Sequence, residues 1–506
     1  MKNIKQVKII SLAAVFAVAL TACGGDGESM PFQDKQVVDT DGDGYHDHND
    51  AFPNDASEQF DSDGDGIGDN ADPTPHGEES EEQPEDETNP DDGSSNEGAG
   101  GPTGKPGNCD AQTSGVNWDA LMTETCKDLS SYNLFKDSSD PTANPSAGGV
   151  PFDLAVPLFT DYATKYRYAF IPEGTKAVYS EHEILDFPVG TVLVKTFTMP
   201  VTTADRDGEE LVIETRLLIH RQDGWTALPY YWDPIESDGS KAELAITGAS
   251  LDVTTTHKGE MIDFTYQVPK ATSCNSCHQL LPVSQGSDDI RPNIFMPIGP
   301  KARYLNKEFE YEDGTTANQL EYWQEQGFLT GLPESGVDAL EKIMLFKDNT
   351  VLSQLSNEEV DDAARAYLDI NCAHCHRSEL SLEDAGKPNY AGAAGYTGLQ
   401  LEYNRDYSER SDRFGVCKLP IANRDPVSRI DEESDYAFDR LLPQFPKNVT
   451  YGVVPGKPEE SYLLLRMTTV DPNQRMAPLG RSTHHIEGVE LIKQWITNLP
   501  SETCPD

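Results

Sequence analysis

Two Cys-x-x-Cys-His motifs restrict what this chain of 506 residues can fold into more than any other feature. They occupy residues 274–278 and 372–376. Two thiols at this spacing can form thioethers with the two vinyl groups of one haem, and the histidine that follows is placed to bind the iron. The sequence therefore predicts two covalently attached haem c groups, each of which needs a pocket. The predicted attachment residues are Cys274, Cys277, His278, Cys372, Cys375 and His376, with His278 and His376 as iron ligands.

Three other uses of paired cysteines fit the sequence less well. A zinc ribbon places its two Cys-x-x-Cys pairs roughly 15–20 residues apart, whereas Cys277 and Cys372 are far more widely separated. A dithiol redox site requires neither the following histidine nor a second copy of the motif. A structural disulfide across two intervening residues is strained. Haem attachment is the interpretation that uses every residue of both motifs.

The N-terminus has the pattern of a processed export signal. Basic residues precede an apolar stretch, residues 9–20, that is short for a membrane span. The stretch leads into Leu-Thr-Ala-Cys, which resembles the lipobox of bacterial lipoproteins and implies lipidation of Cys23. The alternative is a secretory signal that ends near a cysteine by chance. No later stretch is apolar enough to span a bilayer. Because Gly24 rather than an aspartate follows Cys23, we expect an outer-membrane lipoprotein that faces the periplasm or the cell surface.

Acidic residues are concentrated near the N-terminus. The formal net charge is −48, and residues 24–110 hold 26 Asp and Glu against two Lys. A segment of this kind is typical of a solvated tether or a cation site. A chain with this charge is not expected to bind nucleic acid, whose phosphates would repel it.

Two units within the acidic segment predict calcium binding. Asp-x-Asp-Gly-Asp-Gly begins at residue 39 and again at residue 61. Carboxylates at alternate positions can converge on one hard cation, and glycine allows the sharp turns between them. Residues 39–76 resemble thrombospondin type 3 repeats, which wrap calcium with little apolar core, whereas acidic low complexity is the alternative. The predicted calcium ligands are Asp39, Asp41, Asp43, Asp61, Asp63 and Asp65.

After the acidic segment, the sequence predicts strands first and helices later. Residues 191–199, 211–220 and 262–268 are rich in β-branched and aromatic side chains and are bounded by Gly, Pro or Asp, as strands are. Ser356 and Glu359 have the spacing of a capping box, which predicts a helix that runs into the second motif. Apolar residues at helical spacing predict another helix at the C-terminus.

This order of helix, second motif and C-terminal helix resembles class I cytochrome c. The resemblance implies that a methionine in the loop before the last helix is the sixth ligand of the second iron. Met476 has that place, in a polar loop between Arg475 and Pro478. The alternatives are a core role for this methionine, or ligation by His484 or His485 instead.

The first motif follows extended sequence, so it does not match a plain cytochrome c unit. The candidate sixth ligands of its iron are Met296, Met261 and His257, although each one taken singly fits a structural role better. Lys301 and Arg303 are candidate partners of the haem propionates, with solvated surface charge as the alternative.

Four cysteines remain after the motifs and the lipid site. An even remainder in an exported chain predicts two disulfides. The pairs Cys109–Cys126 and Cys417–Cys504 would keep each bond within one domain, although the sequence alone leaves three connectivities open.

Residues 109–506 as a whole resemble a family of di-haem c-type cytochrome lipoproteins from Gram-negative bacteria. The stretches that carry the resemblance include residues 151–162 (PFDLAVPLFTDY), 297–303 (PIGPKAR), 371–376 (NCAHCH) and 478–482 (PLGRS). Members of this family are often encoded beside a parallel β-helix repeat protein, which the resemblance therefore implies as a partner. The resemblance supplies no substrate.

Together these features predict a multidomain α+β protein in which a β-rich domain precedes mainly α, cytochrome c-like haem domains. They favour electron transfer with a periplasmic or outer-membrane redox partner. The alternative is a di-haem redox enzyme, peroxidase-like or a small-substrate oxidase, with the first haem as its active site. The predicted segments are a signal peptide (1–22), a tether (23–38), calcium repeats (39–76), an acidic linker (77–108), a β-rich domain (109–268), a first haem-binding region (269–345) and a second haem domain (346–506).

Overall fold

The computed structural model describes most of the chain after residue 99. Cys23 and the six predicted calcium ligands lie outside the described residues. The chain divides into two units, Met1–Ser94 and Ser95–Asp506, and the helices and strands of the described residues all lie in the second. The described residues are 100–111, 113–234, 239–283, 291–382, 386–387, 389–405, 411–420, 449, 451–500 and 504, with isolated positions at 52, 54, 55, 57 and 71.

Fifteen strands occur in the described region. They are β1 (Gly149–Pro151), β2 (Thr164–Phe170), β3 (Ala177–Val178), β4 (Val192–Pro200), β5 (Glu210–Arg221), β6 (Gly224–Trp232), β7 (Ala242–Leu244), β8 (Ala249–His257), β9 (Glu260–Val268), β10 (Gln279–Pro282), β11 (Ile294–Phe295), β12 (Glu308–Glu310), β13 (Thr316–Asn318), β14 (Leu329–Thr330) and β15 (Tyr390–Gly392).

The largest sheet is antiparallel and has six strands in the order β1-β2-β4-β5-β6-β7. The three strands predicted from β-branched and aromatic residues are confirmed as β4, β5 and β9. Strand β9 pairs with β8 in a separate hairpin. One face of the large sheet packs on the N-terminal segment through Leu217, Tyr230 and Trp232, which belong to one buried cluster with Trp118 and Leu121.

Seven helices accompany the strands in the described region. They are α1 (Trp118–Thr123), α2 (Asn275–His278), α3 (Ala302–Leu305), α4 (Gln319–Glu325), α5 (Asn357–Leu368), α6 (Tyr462–Thr468) and α7 (Ile486–Asn498). None of the helices in the described residues has the length and hydropathy that a bilayer span requires.

Helices α5 and α7 are the two longest helices in the described residues, and they pack together. The predicted capping box at the start of α5 is confirmed, because Ser356 accepts from the Glu359 amide and the Glu359 carboxylate accepts from the Ser356 amide. At the crossing, a side chain on Gly488 would overlap the ring of Tyr367. Glycine therefore allows the two helices to approach closely, and the Trp495 indole donates to Asp361 over 2.8 Å.

Short strands join the regions around the two motifs. Strand β10 directly follows the first motif and pairs with both β11 and β15, the latter lying beyond the second motif. A single buried core also contains Phe152 near the large sheet, Trp323 on α4 and Trp495 on α7. The regions around the motifs therefore share strand pairing and apolar packing.

The predicted fold class is wrong for the haem regions, which are not mainly α. The described residues are 24% helix and 26% strand, with a mainly antiparallel principal sheet. Helices α2 and α3 have four residues each, too few to form a bundle core by themselves. Apolar residues recur at helical spacing in α5 and α7, and both segments are helices. The chain between them, however, is built from short strands, 3-10 turns and loops.

Both disulfides have the pairing that was expected from keeping each bond within one domain. Cys109 is bonded to Cys126, and Cys417 is bonded to Cys504. The second bond links Cys504 to Cys417, which directly follows Val416, a residue that forms an isolated β-bridge with Val453. The four motif cysteines are free thiols.

Candidate functional site

The first Cys-x-x-Cys-His motif forms a 3-10 turn and the short helix α2, immediately after β9. The His278 Nδ1 lies 2.9 Å from the backbone oxygen of Met296. Because a carbonyl only accepts, Nδ1 carries the hydrogen and the Nε2 lone pair is left to bind a metal. Burial lowers the pKa of His278 to about 4, so the ring is neutral at neutral pH, as ligation requires.

The second motif continues directly from α5 through a π-helical turn, Asp369–Ala373. Burial lowers the pKa of His376 to about 4 as well. The Thr397 hydroxyl donates to the Ala394 carbonyl over 2.7 Å, which leaves its oxygen to accept from His376 Nδ1 at 3.4 Å. Both motif histidines are therefore neutral rings with one nitrogen engaged.

The two motifs are in contact. The Cys375 thiol donates to the backbone oxygen of Ser276 over 3.3 Å. The Cys277 and Cys375 thiols also interact with each other, which lowers the pKa of Cys277 and raises that of Cys375. Gly392 on β15 has its Cα against the Cys375 carbonyl, where no Cβ would fit. Residues 98 positions apart in sequence are thus adjacent in space.

A cavity of about 320 Å³ opens beside the second motif. Its lining combines the motif's thiols and His376 with apolar side chains, a mixture that suits a largely apolar macrocycle bound through sulfur and iron. The residues present therefore fit a haem. The apolar lining includes Leu399, Leu401, Phe414, Leu463, Met467 and Met476.

Two methionines line this cavity, and the sequence pattern indicated only one of them. Met476 lies in the loop before α7 and is 37% exposed, whereas Met467 is buried on α6. His485 is engaged at both nitrogens, by Tyr367 at 3.0 Å and by Asp348 at 3.4 Å. His484 is not among the lining residues. The thioether of Met476 is therefore a better placed candidate than either histidine.

A second cavity, of about 180 Å³, lies beside the first motif. Cys274, Cys277 and His278 line it, together with a row of basic residues. The row consists of Arg167 on β2, Lys195 on β4 and Arg216 on β5, which are cross-strand neighbours.

None of the sixth ligands proposed for the first haem lines this second cavity. Met261 is 70% exposed at the hairpin end of β9. The backbone oxygen of Met296 accepts a hydrogen bond from His278. Met296 also lines a smaller cavity, of about 30 Å³. His257 is engaged at both nitrogens, by Thr203 at 2.8 Å and by Glu487 at 2.9 Å.

Lys301 and Arg303, the expected partners of haem propionates, are instead buried in ion pairs within the protein. Lys301 lies 3.0 Å from Asp369, and the Arg303 guanidinium lies 2.9 Å from Glu341. Burial opposes ionisation of Asp369, but these two cations and the Tyr304 hydroxyl outweigh it and lower the pKa of Asp369 to about 2. Since Asp369 begins the turn that carries the second motif, the pairs anchor that motif.

Two features of the site were not predicted from the sequence. His374, between the cysteines of the second motif, lines both cavities, and its buried Nδ1 has no hydrogen-bond partner among the described residues. Asp348, His485 and Glu487, of which the last two are buried, form a cluster whose ligand atoms lie within 4.8 Å of one another. The cluster joins a loop to the start of α7, so no sequence spacing could have indicated it, whereas His374 was visible inside its motif.

Comparisons with protein-family models, with curated proteins and with solved structures gave no match.

Proposed function

We propose that this chain is a di-haem c-type cytochrome lipoprotein that transfers electrons in the periplasm or at the outer membrane. The observation that carries the proposal is the contact between the two Cys-x-x-Cys-His motifs through Cys375, Cys277 and Ser276. Electron tunnelling falls steeply with distance, so two cofactors bound at touching motifs exchange electrons readily. A pair of unrelated metal sites would need no such contact.

The protein's own residues supply attachment, ligation and shielding. Each motif offers two thiols for thioether bonds and one neutral imidazole for iron, and apolar side chains around the second motif exclude water. The haems would supply one-electron reduction and oxidation. Asp369, held by Lys301 and Tyr304, fixes the turn that presents Cys372.

The remaining parts of the proposal come from the sequence. Lipidation of Cys23 would hold the chain at the outer membrane, and Asp39, Asp41, Asp43, Asp61, Asp63 and Asp65 would bind calcium. The partner would be a periplasmic or outer-membrane redox protein. The family resemblance adds a parallel β-helix repeat protein as a further partner.

The decisive experiment is mass spectrometry of the denatured mature protein. Two haem additions per chain are expected, and they should survive denaturation because thioethers are covalent. One addition, none, or bound zinc instead would contradict the proposal. Stopped-flow reduction of the same preparation should then show that both haems take up electrons and pass them to an added acceptor.

A further inference from the structure

The basic row beside the first motif is built into the sheet. Arg167 is the cross-strand partner of Lys195, and Lys195 is the partner of Arg216, so the three side chains project from one face of β2, β4 and β5. All three line the cavity that also contains Cys274 and His278. Like charges directly opposite one another destabilise a sheet.

The carboxylates nearby do not balance the row. Asp153 accepts from Arg167 over 2.8 Å, but it also pairs with Lys307 at 2.9 Å. Glu214 pairs with Arg216 and also accepts from the Tyr266 hydroxyl over 2.7 Å. Asp153 is therefore shared between two cations and Glu214 is taken up by Arg216, so within the described part of the chain no carboxylate pairs with the middle of the row.

Lys195 is the member without a partner. Among the residues that the structure describes, its ammonium makes no hydrogen bond or ion pair, and it lies 5.1 Å from the centroid of the Phe197 ring. Lys195 is half-buried and lines the cavity. An unpaired cation in such a place is costly unless an anion completes it. Burial and the two neighbouring arginines lower the pKa of Lys195 to about 7.

We infer that Arg167, Lys195 and Arg216 form a binding site for an anionic oxygen group of carboxylate size in the cavity beside the first motif. Such a carboxylate has two sources. It is a propionate of the first haem, in which case the inference rests on the proposed function, or it is a free small anion that enters the cavity. The free-anion source does not depend on haem attachment.

The test uses the full-length protein and two variants. Lys195→Met removes the unpaired cation, and Lys165→Met is the matched control. Lys165 lies on the same face of β2 and over the same Phe197 ring as Lys195, but it donates to the Ala163 carbonyl over 3.0 Å and does not line the cavity. It therefore tests the loss of a nearby positive charge that does not line the cavity. Thermal unfolding and the haem count by mass establish first that each variant folds and that it is loaded like the parent.

The potential of the first haem is measured alone, in a background that carries Cys372→Ala and Cys375→Ala. Formate is the probe for a free carboxylate, with binding followed by calorimetry and by the haem optical spectrum. If a free anion uses the site, Lys195→Met should weaken formate binding by about tenfold, or 1.4 kcal/mol, and Lys165→Met should not. If a propionate uses it, formate should not bind and Lys195→Met should lower the potential of the first haem.

The inference is overturned if Lys195→Met, in a folded and fully loaded chain, changes neither formate binding nor the potential of the first haem. It is also overturned if Lys165→Met produces the same changes, because the effect would then be a general loss of positive charge. Absence of covalent haem would contradict the proposed function, but formate calorimetry on the haem-free chain would still test the anion site.

Discussion

The two motif cavities differ, although the motifs that open onto them are alike. Both cavities have many apolar lining residues, but that of the second motif adds two methionines together with Lys418 and Arg466, whereas that of the first adds a row of three basic residues on neighbouring strands. A thioether ligand favours reduced iron, and so does a nearby positive charge, but by different means. The difference teaches that one sequence motif lies in two different environments, which under the proposed function would give two redox centres of different potential.

The largest expected effect is the loss of one haem at a time when the cysteines of one motif are replaced. Replacing Cys274 and Cys277 with Ala should remove one haem addition from the mass, and replacing Cys372 and Cys375 should remove the other. Each double variant should keep one haem with its own potential, because the two environments differ. Replacing the disulfide pair Cys109 and Cys126 is the control and should leave both additions. Two haems in either motif variant would contradict the assignment.

The next effect concerns the anchor of the second motif. Asp369→Asn should destabilise the fold by about 3–5 kcal/mol, because Lys301 would be left as a buried, unpaired cation. Denaturant unfolding followed by circular dichroism measures this change. Asp338→Asn, at an exposed aspartate, is the control and should stay within roughly 0.5 kcal/mol of the parent.

The same anchor predicts acid sensitivity. The pKa of Asp369 is lowered from 3.8 to about 2, so its ionised form stabilises the folded state above pH 3.8. That contribution, about 2 kcal/mol, should disappear as the pH falls through about 2. Denaturant unfolding at several pH values should show the loss in the parent and not in Asp369→Asn. An unchanged pH dependence in the variant would argue that other carboxylates control acid unfolding.

A smaller effect would identify the sulfur ligand. Met476→Ala should leave both haems attached, abolish any far-red charge-transfer band and lower the second haem's potential by on the order of 0.1 V, a fraction of the range that axial ligands span. Met467→Ala is the matched comparison, since that residue lines the same cavity from α6. If the band disappears in Met467→Ala and survives in Met476→Ala, the ligand is Met467.

The smallest expected effect concerns how each histidine is oriented. His278 donates to a backbone carbonyl, whereas His376 has the weaker acceptor Thr397 at 3.4 Å. Thr397→Val should therefore shift the second haem's potential slightly and cost about 0.5–1.5 kcal/mol of stability. Thr468→Val, which removes an exposed hydroxyl bonded to Leu464, should leave the potential unchanged. A shift as large as that of Met476→Ala would show that Thr397 affects ligation itself.

Local patterns gave reliable predictions where one element determines its own shape. The capping box of Ser356 and Glu359, strands β4 and β5, and helix α7 all follow from backbone hydrogen bonding and side-chain periodicity within a short segment. The fold class failed because the helical pattern near the second motif was extended to a whole domain. Short elements such as α3 have no periodicity long enough to be recognised.

The sequence by itself determined the two motifs and the elements next to them, because thiol spacing and helix capping are local. The tertiary structure decided which distant groups meet. It brought Cys277 against Cys375, buried Lys301 on Asp369 and aligned Arg167, Lys195 and Arg216 in one row. These contacts depend on strand register and on packing of segments far apart in the chain, and neither is encoded in the spacing of any one segment.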